Sequence, residues 1–173
     1  MYTVGHSNRG WEEFLAALLA HGVGHLVDIR RWPTSRRHPH FCRGHLSWAL
    51  PAAGIGYWHL PELGGRRGPA HPHSLNTGWT SPGFRAYADH MLTSEFRAGM
   101  RALQALAQAH PTAIMCAEAT YRRCHRMLVA DYLALHGWEV RHILDARRWQ
   151  PHRLTPFARR EGVDVLYPAL LPG

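Results

Sequence analysis

Two thiols, a carboxylate, a histidine and three arginines lie close together in the segment CAEATYRRCHR at 116–126. Its carboxylate, Glu118, could act with a second carboxylate, Asp28, as acid, base or nucleophile. Two carboxylates that flank a sugar carbon stabilise an oxocarbenium-like transition state. We therefore interpret Asp28, Glu118 and the Cys116 thiol as candidate catalytic residues. The carboxylate pair predicts glycosidic-bond chemistry on a nucleotide or nucleic acid.

Cys116 also fits a thiol nucleophile of the phosphatase or sulfurtransferase kind. Five residues separate it from Arg122, which is the spacing of the cysteine-phosphatase loop. A following helix and nearby arginines would lower the pKa of such a thiol. However, the intervening AEATY has no glycine to let backbone amides wrap a phosphate, and Met115 stands where that loop normally has histidine. The carboxylate mechanism uses more of the residues in the segment, so we rank it first.

A metal site or a redox pair would use Cys116, Cys124 and His125, with His6 as a possible further ligand. Structural zinc sites usually contain close CxxC pairs, whereas seven residues separate these two cysteines. With fifteen histidines in the chain, some clusters arise by chance. From the sequence we therefore assign no metal site and no cofactor, and keep a metal or thiol redox protein as an alternative.

A purely structural interpretation is also open. Asp28 and Glu118 would then be buried partners of Arg30 and Arg126, and Cys116 would be an ordinary core thiol. Burying several ionised groups is costly, which favours a site over this interpretation for the set as a whole.

Strands and helices that alternate along the chain must position these residues. Apolar patterns predict strands at 2–6, 25–29, 55–59, 112–117, 138–144 and 164–167. They predict helices at 11–19, 45–53 and 124–136, and further helices that start near 82 and 94. The alternation indicates a single α/β domain over 1–173, with a mostly parallel sheet, helices on both faces and a Rossmann-like three-layer architecture. Ligands of such sheets bind beyond the carboxyl ends of the strands.

Polar residues follow three of these strands and should meet at one rim of the sheet. The long connection at 60–82 adds two glycines and an arginine, and glycine lets backbone amides approach an anion closely. We predict that the following residues bind the substrate or its phosphate: His6, Ser7, Arg30, Ser35, Arg36, Gly64, Gly65, Arg66, Cys124, His125, Arg126. Exposed aromatic residues could stack on bases, and the candidates are Trp32, Tyr57, Trp58 and Trp79.

The charge of the chain points to an anionic partner such as a nucleotide or nucleic acid. The formal net charge is +8, and all twenty basic residues are arginine, whose planar fork suits phosphate. A GC-rich genome would give the same arginine bias without selection for binding. No stretch approaches the roughly 18 apolar residues of a membrane span, and no signal-peptide pattern opens the chain. We therefore expect a cytoplasmic protein with three free cysteines and no membrane contact.

Five segments resemble the "domain of unknown function 488" family, which includes the YeaO-like proteins. They are VGHSNR at 4–9, VDIRRWPTSRRHPHF at 27–41, LPELGGRR at 60–67, MCAEATYRRCHRMLVADYL at 115–133 and LTPFA at 154–158. The resemblance implies a small single α/β domain and no particular activity. The family more often has asparagine at the position of Cys42, and its DVR-S segment reads Asp28-Ile29-Arg30-Arg31 here. Cys42 is therefore a poor candidate for a shared role.

Three hypotheses follow from the residues. The first is an enzyme that acts on a glycosidic or phosphate-linked bond of a nucleotide or nucleic acid. The second is a nucleic-acid-binding module without catalysis, whose affinity would fall steeply with salt. The third is the metal or thiol redox protein. The sequence specifies no oligomeric state.

Overall fold

A six-stranded sheet forms the centre of the structure, a computed structural model that describes residues 1–170. In chain order its strands are β1 (Tyr2–Gly5), β2 (His25–Asp28), β3 (Gly56–His59), β4 (Thr112–Cys116), β5 (Arg141–Ile143) and β6 (Trp149–Pro151). They lie side by side in the order β3-β2-β4-β1-β5-β6, and only β5 and β6 pair antiparallel. The predicted α/β fold with a mostly parallel sheet is confirmed.

In the described part of the chain, five α-helices flank the sheet, and two of them begin at a side-chain cap. The helices are α1 (Trp11–Ala20), α2 (Arg43–Ala52), α3 (Pro82–His90), α4 (Ser94–Ala109) and α5 (Arg126–Leu135). The Ser81 hydroxyl accepts a hydrogen bond from the backbone N–H of Phe84 at the start of α3, and Thr93 caps α4 in the same way. None of the helices within residues 1–170 is both long enough and apolar enough to cross a membrane.

The core has two parts, one on each face of the sheet. Val27 and Ile114 pack against α3, α4 and α5 on one face. Their chain neighbours Leu26 and Ala113 pack against α1 and α2 on the other face. Successive strand residues point to opposite faces, so a strand buried on both sides reads as a continuous apolar run. The result is the expected three-layer arrangement.

The structure differs from the predicted elements mainly towards the carboxyl end. The predicted strand at 138–144 is reduced to the three residues of β5, and α5 begins two residues later than predicted. The predicted last strand, β8 (Asp164–Leu166), pairs with β7 (Arg159–Glu161) in a separate hairpin. Both β6 and β7 are three-residue strands of exposed residues, so no alternation of buried and exposed side chains marks them.

The long connection at 60–82 is held in place by a buried amide. Asn76 is fully buried, and its side-chain NH₂ donates to the Asp89 carboxylate over 2.8 Å. Its side-chain oxygen accepts from the backbone N–H of Tyr167 over 2.9 Å. This anchoring lets the connection form a wall of the cavity described below.

Candidate functional site

The carboxyl ends of β1, β2 and β4 lie next to one another because β4 lies between the other two strands. The backbone N–H of His6, just beyond β1, donates to the Cys116 carbonyl over 3.0 Å. The N–H of Ile29, just beyond β2, donates to the Met115 carbonyl over 3.0 Å. The polar residues that follow the three strands are thereby brought to one edge of the sheet, where ligands of open α/β sheets bind.

A cavity of about 610 Å³ opens at this edge. Nine of the residues predicted from sequence line it: His6, Arg30, Ser35, Gly65, Arg66, Cys116, Glu118, Cys124, His125. Five predicted residues do not line it: Ser7, Asp28, Arg36, Gly64, Arg126. The volume lies in the range of small-molecule sites.

Asp28 lies behind the cavity wall and is occupied by its neighbours. It is fully buried, and its two oxygens accept from Nε and Nη2 of Arg30 over 2.9 and 2.7 Å. The Tyr57 hydroxyl donates to the same carboxylate over 2.7 Å. Burial, followed by the charge of Asp28 and the hydrogen bond to it, raises the pKa of Tyr57. Asp28 therefore orients Arg30 and has no free oxygen that faces the cavity.

His6 and Arg30 form the cavity wall between β1 and β2. Nη1 of Arg30 lies 3.3 Å from Nε2 of His6, and the His6 ring stacks on Phe41 with 4.5 Å between ring centres. Burial lowers the pKa of His6 to about 4, and the nearby Arg30 charge acts in the same direction. His6 is therefore neutral at pH 7 and can accept a hydrogen bond from Arg30 through Nε2.

Glu118 is the exposed carboxylate of the cavity, on the loop that follows β4. Arg126, which is almost fully buried, holds the backbone of this loop in place. Nη2 of Arg126 donates to the Glu118 carbonyl, and its Nη1 donates to the Thr3 hydroxyl over 3.1 Å. Gly5 makes this approach possible, because a Cβ at position 5 would lie 1.9 Å from the Glu118 carbonyl oxygen. Arg126 thus positions Glu118 and does not face the cavity.

Cys116, Cys124 and His125 form a cluster in the cavity wall. Nδ1 of His125 lies 3.8 Å from Sγ of Cys116 and 3.7 Å from Sγ of Cys124. Nε2 of His125 lies 3.1 Å from the Ile29 carbonyl, and only a protonated Nε2 can donate to that oxygen. In the neutral ring Nδ1 therefore presents its lone pair to both sulfurs. The backbone N–H of Arg126 also points at Sγ of Cys124, over 3.4 Å.

The two thiols of the cluster differ in acidity. The hydrogen bond with Cys124 and then burial raise the pKa of Cys116 well above its ordinary value. Burial alone would also raise the pKa of Cys124. The hydrogen bond from Cys116, together with His125 and Arg126, outweighs burial and holds that pKa well below its ordinary value. Any thiolate of the pair is thus centred on Cys124.

Three arginines of the cavity have no carboxylate partner. Arg31, Arg66 and Arg123 line the cavity and are exposed, and none of them belongs to an ion pair within residues 1–170. Against them the cavity lining contains one carboxylate, Glu118. Arg30 also lines the cavity, but its charge is balanced by Asp28. The cavity therefore carries a net positive charge and favours an anion.

Several lining residues lay outside the sequence-based set, chiefly Arg31, Arg123, Phe84 and Tyr87. The two arginines are adjacent in sequence to predicted site residues. The rule that ligands bind beyond the carboxyl ends of strands predicts where a site lies, but not which side chains point into it. Phe84 and Tyr87 belong to α3, whose contribution to the site had no sequence signal. Trp32 is 57% exposed in the cavity wall, as a base-stacking residue requires.

Four of the predicted residues shape the backbone around the cavity. A Cβ at Gly65 would lie 2.9 Å from Nδ1 of His125, so this glycine permits the close approach of the 60–67 segment. A Cβ at Gly64 would lie 2.7 Å from Cα of Arg31, so this glycine permits a second close approach. Ser7 and Arg66 both have a left-handed backbone, with φ of 48° and 57°. Such conformations are uncommon outside glycine and cluster at functional sites.

Comparison with known proteins identifies one family. The family model described as "Domain of unknown function DUF488" matches residues 10–133, which include α1 to α4, β2 to β4 and most of α5. No curated protein and no solved structure shows a significant match. The matched region contains the Asp28–Arg30 pair, the Cys116–Cys124–His125 cluster and Glu118, and it covers well over half of the chain. The chain therefore belongs to the DUF488 family.

Proposed function

We propose that this protein is an enzyme that acts on a nucleotide or nucleic acid, at a glycosidic or phosphate-linked bond held in the cavity beyond β1, β2 and β4. The observation that carries the proposal is a set of three exposed arginines around a cavity of about 610 Å³, namely Arg31, Arg66 and Arg123. None of them has a carboxylate partner among the described residues 1–170. A guanidinium donates paired hydrogen bonds that match phosphate oxygens. Their surplus charge favours a phosphate-bearing ligand over a neutral one.

A nucleoside fits the rest of the lining. Trp32 presents its ring to the cavity, and the guanidinium of Arg31 lies over it with 4.9 Å between carbon and ring centre. An aromatic side chain beside an arginine offers stacking to any base and charge to its phosphate. Phe84 and Tyr87 add apolar surface on the α3 side. In this proposal the arginines hold the phosphate while Trp32 stacks on the base.

Glu118 supplies the acid–base step. Its carboxylate would take a proton from an attacking water, and would return that proton to the leaving group as the bond to the sugar carbon or phosphorus breaks. Arg126 acts as a positioning residue by holding the Glu118 backbone, and Asp28 does the same for Arg30. Cys116 lines the same cavity, and we keep it as a candidate catalytic residue. Because the three cysteines are free, we place the reaction in the reducing cytoplasm.

Turnover tests the proposal. The full chain would be incubated with mixed nucleoside 5′-phosphates and with a short single-stranded oligonucleotide, and released base and phosphate would be measured. We expect product from the wild-type protein and a loss of about 10²- to 10⁴-fold in rate for Glu118→Gln, the range for a general acid–base residue. Glu161→Gln, on the exposed hairpin, serves as the matched control and should retain the wild-type rate.

The second candidate is a nucleic-acid-binding module without catalysis, which the overall charge of +8 favours. Binding of the oligonucleotide with no product, and equal affinity for wild type and Glu118→Gln, would select this candidate. Product formed at the same rate by both proteins would remove Glu118 from the mechanism.

A further inference from the structure

We propose that Cys116, Cys124 and His125 together bind one divalent transition-metal ion, with zinc as the preferred ion and an open coordination position towards the cavity. The three donor atoms are Sγ, Sγ and Nδ1, and all lie within 4.8 Å of one another. The site goes beyond the proposed function, because its binding of metal requires no substrate.

Two of the three donor separations match tetrahedral coordination. With Zn–S of about 2.3 Å and Zn–N of about 2.0–2.1 Å, ligand atoms at tetrahedral angles are separated by roughly 3.6 Å for sulfur to nitrogen. The observed separations from Nδ1 of His125 are 3.8 Å to Cys116 and 3.7 Å to Cys124. Both sulfur-to-nitrogen separations are therefore within a few tenths of an ångström of the tetrahedral value, and the two sulfurs lie no more than 4.8 Å apart.

The surroundings already orient the donors as ligands. Nε2–H of His125 faces the Ile29 carbonyl at 3.1 Å, which fixes the tautomer whose Nδ1 lone pair is free for a metal. Metal-ligating histidines almost always donate a hydrogen bond from the N–H of their other ring nitrogen in this way. The backbone N–H of Arg126 donates to Sγ of Cys124, a hydrogen bond that stabilises a coordinated thiolate.

The charge balance also permits a cation in this positive cavity. Two thiolates neutralise a divalent ion, so that the occupied cluster adds no net charge beside the arginines. Thiolate and imidazole donors select zinc and its neighbours over magnesium and calcium, which require oxygen ligands. The 3₁₀ turn at Tyr121–Arg123 returns Cys124 to the end of β4, and so brings together two cysteines that have seven residues between them.

The number of ligands defines the kind of site. Structural zinc sites have four protein ligands, whereas catalytic sites have three and leave the fourth position for water or substrate. Within residues 1–170 the cluster has three members, and all of them line the cavity. A bound water or a phosphate oxygen of the substrate would take the fourth position. That last role rests on the proposed function.

Cobalt spectroscopy tests the site directly. Reduced full-length protein, freed of metal by a chelator, would be titrated with Co²⁺, and Zn²⁺ would then be added in competition. We expect one equivalent of Co²⁺ with sulfur-to-cobalt charge-transfer bands and intense tetrahedral d–d bands, all of which Zn²⁺ removes. The charge-transfer bands require cysteine ligands, so Co²⁺ bound to surface histidines does not give them.

Variants assign the ligands. Each of three substitutions should lower the Co²⁺ affinity by more than about a hundredfold: Cys116→Ser, Cys124→Ser and His125→Gln. Loss of a residue that only contacts a metal ligand lowers the affinity by about a hundredfold at most. Cys42→Ser removes the free cysteine outside the cluster, and His73→Gln removes an exposed histidine, so both should bind as wild type. Far-UV circular dichroism checks the fold of each variant. If a cluster variant fails to fold, the Co²⁺ absorption spectrum of the wild-type protein still tests the site.

Several results would contradict the proposed metal site. Absence of charge-transfer bands in the wild-type protein would overturn the proposal, as would bands that Cys42→Ser abolishes. Reduced protein without bands that forms a Cys116–Cys124 disulfide in air would replace the metal site with a redox pair. Cobalt binding without nucleotide turnover would support the metal site and count against the proposed function, so the two failures are distinguishable.

Discussion

Asp28 and Arg30 are two residues apart, yet they have different roles at the edge of the cavity. Asp28 is fully buried and holds two nitrogens of Arg30, while Arg30 forms part of the cavity wall. The sequence predicted both residues at the end of β2, because strand ends can be located from the apolar pattern. It could not predict which of them turns inward, because that depends on Tyr57 and Phe41 from distant parts of the chain.

Removal of the charge of Asp28 should destabilise the fold. Asp28→Asn leaves Arg30 buried without its counter-charge, and loss of one partner of a buried ion pair costs about 3–5 kcal/mol. Urea unfolding should show this as a lower free energy of unfolding. Glu95→Gln is the control, since its ion pair with Arg67 is half exposed and is worth about 0–1 kcal/mol. A wild-type stability for Asp28→Asn would show that the pair does not support Arg30.

At the scale of elements, the loop after β4 is positioned by contacts from β1 and α5. Arg126 of α5 donates to the Glu118 carbonyl, and Gly5 of β1 lies directly beneath the same carbonyl. The sequence predicted β1, β4 and α5 with small shifts at their ends. It singled out the residues of the loop itself but not Gly5, because a lone glycine at a strand end gives no sign of what approaches it.

Gly5→Ala should therefore displace the loop. Its Cβ would lie 1.9 Å from the Glu118 carbonyl oxygen, a contact that backbone movement must relieve. Overpacking of this kind costs about 1–3 kcal/mol or more, and we expect both a lower unfolding free energy and reduced nucleotide turnover. Gly44→Ala is the matched control in α2, where a Cβ meets open space and alanine should stabilise the helix by about 0.5–1 kcal/mol. Equal stability of Gly5→Ala and wild type would contradict the loop packing.

At the scale of the whole molecule, a buried polar chain links β1, β5 and α5 behind the cavity. The Thr3 hydroxyl lies 2.7 Å from Nδ1 of His142, whose Nε2 lies 2.9 Å from Nδ1 of His152. Nε2 of His152 lies 2.8 Å from the fully buried Asp131 carboxylate. No pattern in the sequence indicates this network, because its members come from segments that meet only in the folded sheet.

This network should make the stability depend on pH. Burial, with the nearby His152, Arg126 and Arg122, lowers the pKa of His142 to about 3. An unfolded histidine takes up a proton below roughly pH 6.5, whereas the folded protein does so only near 3. Stability is therefore fully present above pH 6.5 and falls as the pH is lowered towards 3.

Urea unfolding between pH 7.5 and 4 measures the effect. One proton taken up only by the unfolded state contributes a slope of about 1.4 kcal/mol per pH unit. His142→Gln should reduce the slope by about that amount. Tyr121, which stacks on His142, remains in the variant and keeps the site apolar. Identical slopes for the two proteins would exclude His142 as their source.

Part of the net charge of +8 lies at a single cavity, which is lined by three arginines that have no ion-pair partner within residues 1–170. The central claim is that this cavity binds a phosphate-bearing nucleotide through those arginines. The most direct measurement is the affinity of the full chain for a fluorescent nucleoside triphosphate, compared among wild type, Arg66→Ala, Arg123→Ala and the exposed control Arg101→Ala on α4. We predict that each cavity variant loses roughly tenfold or more in affinity, because a hydrogen bond to a charged group contributes about 1.5–3 kcal/mol. Arg101→Ala should bind with wild-type affinity. Equal affinity of all four proteins, or no binding at all, would contradict the claim.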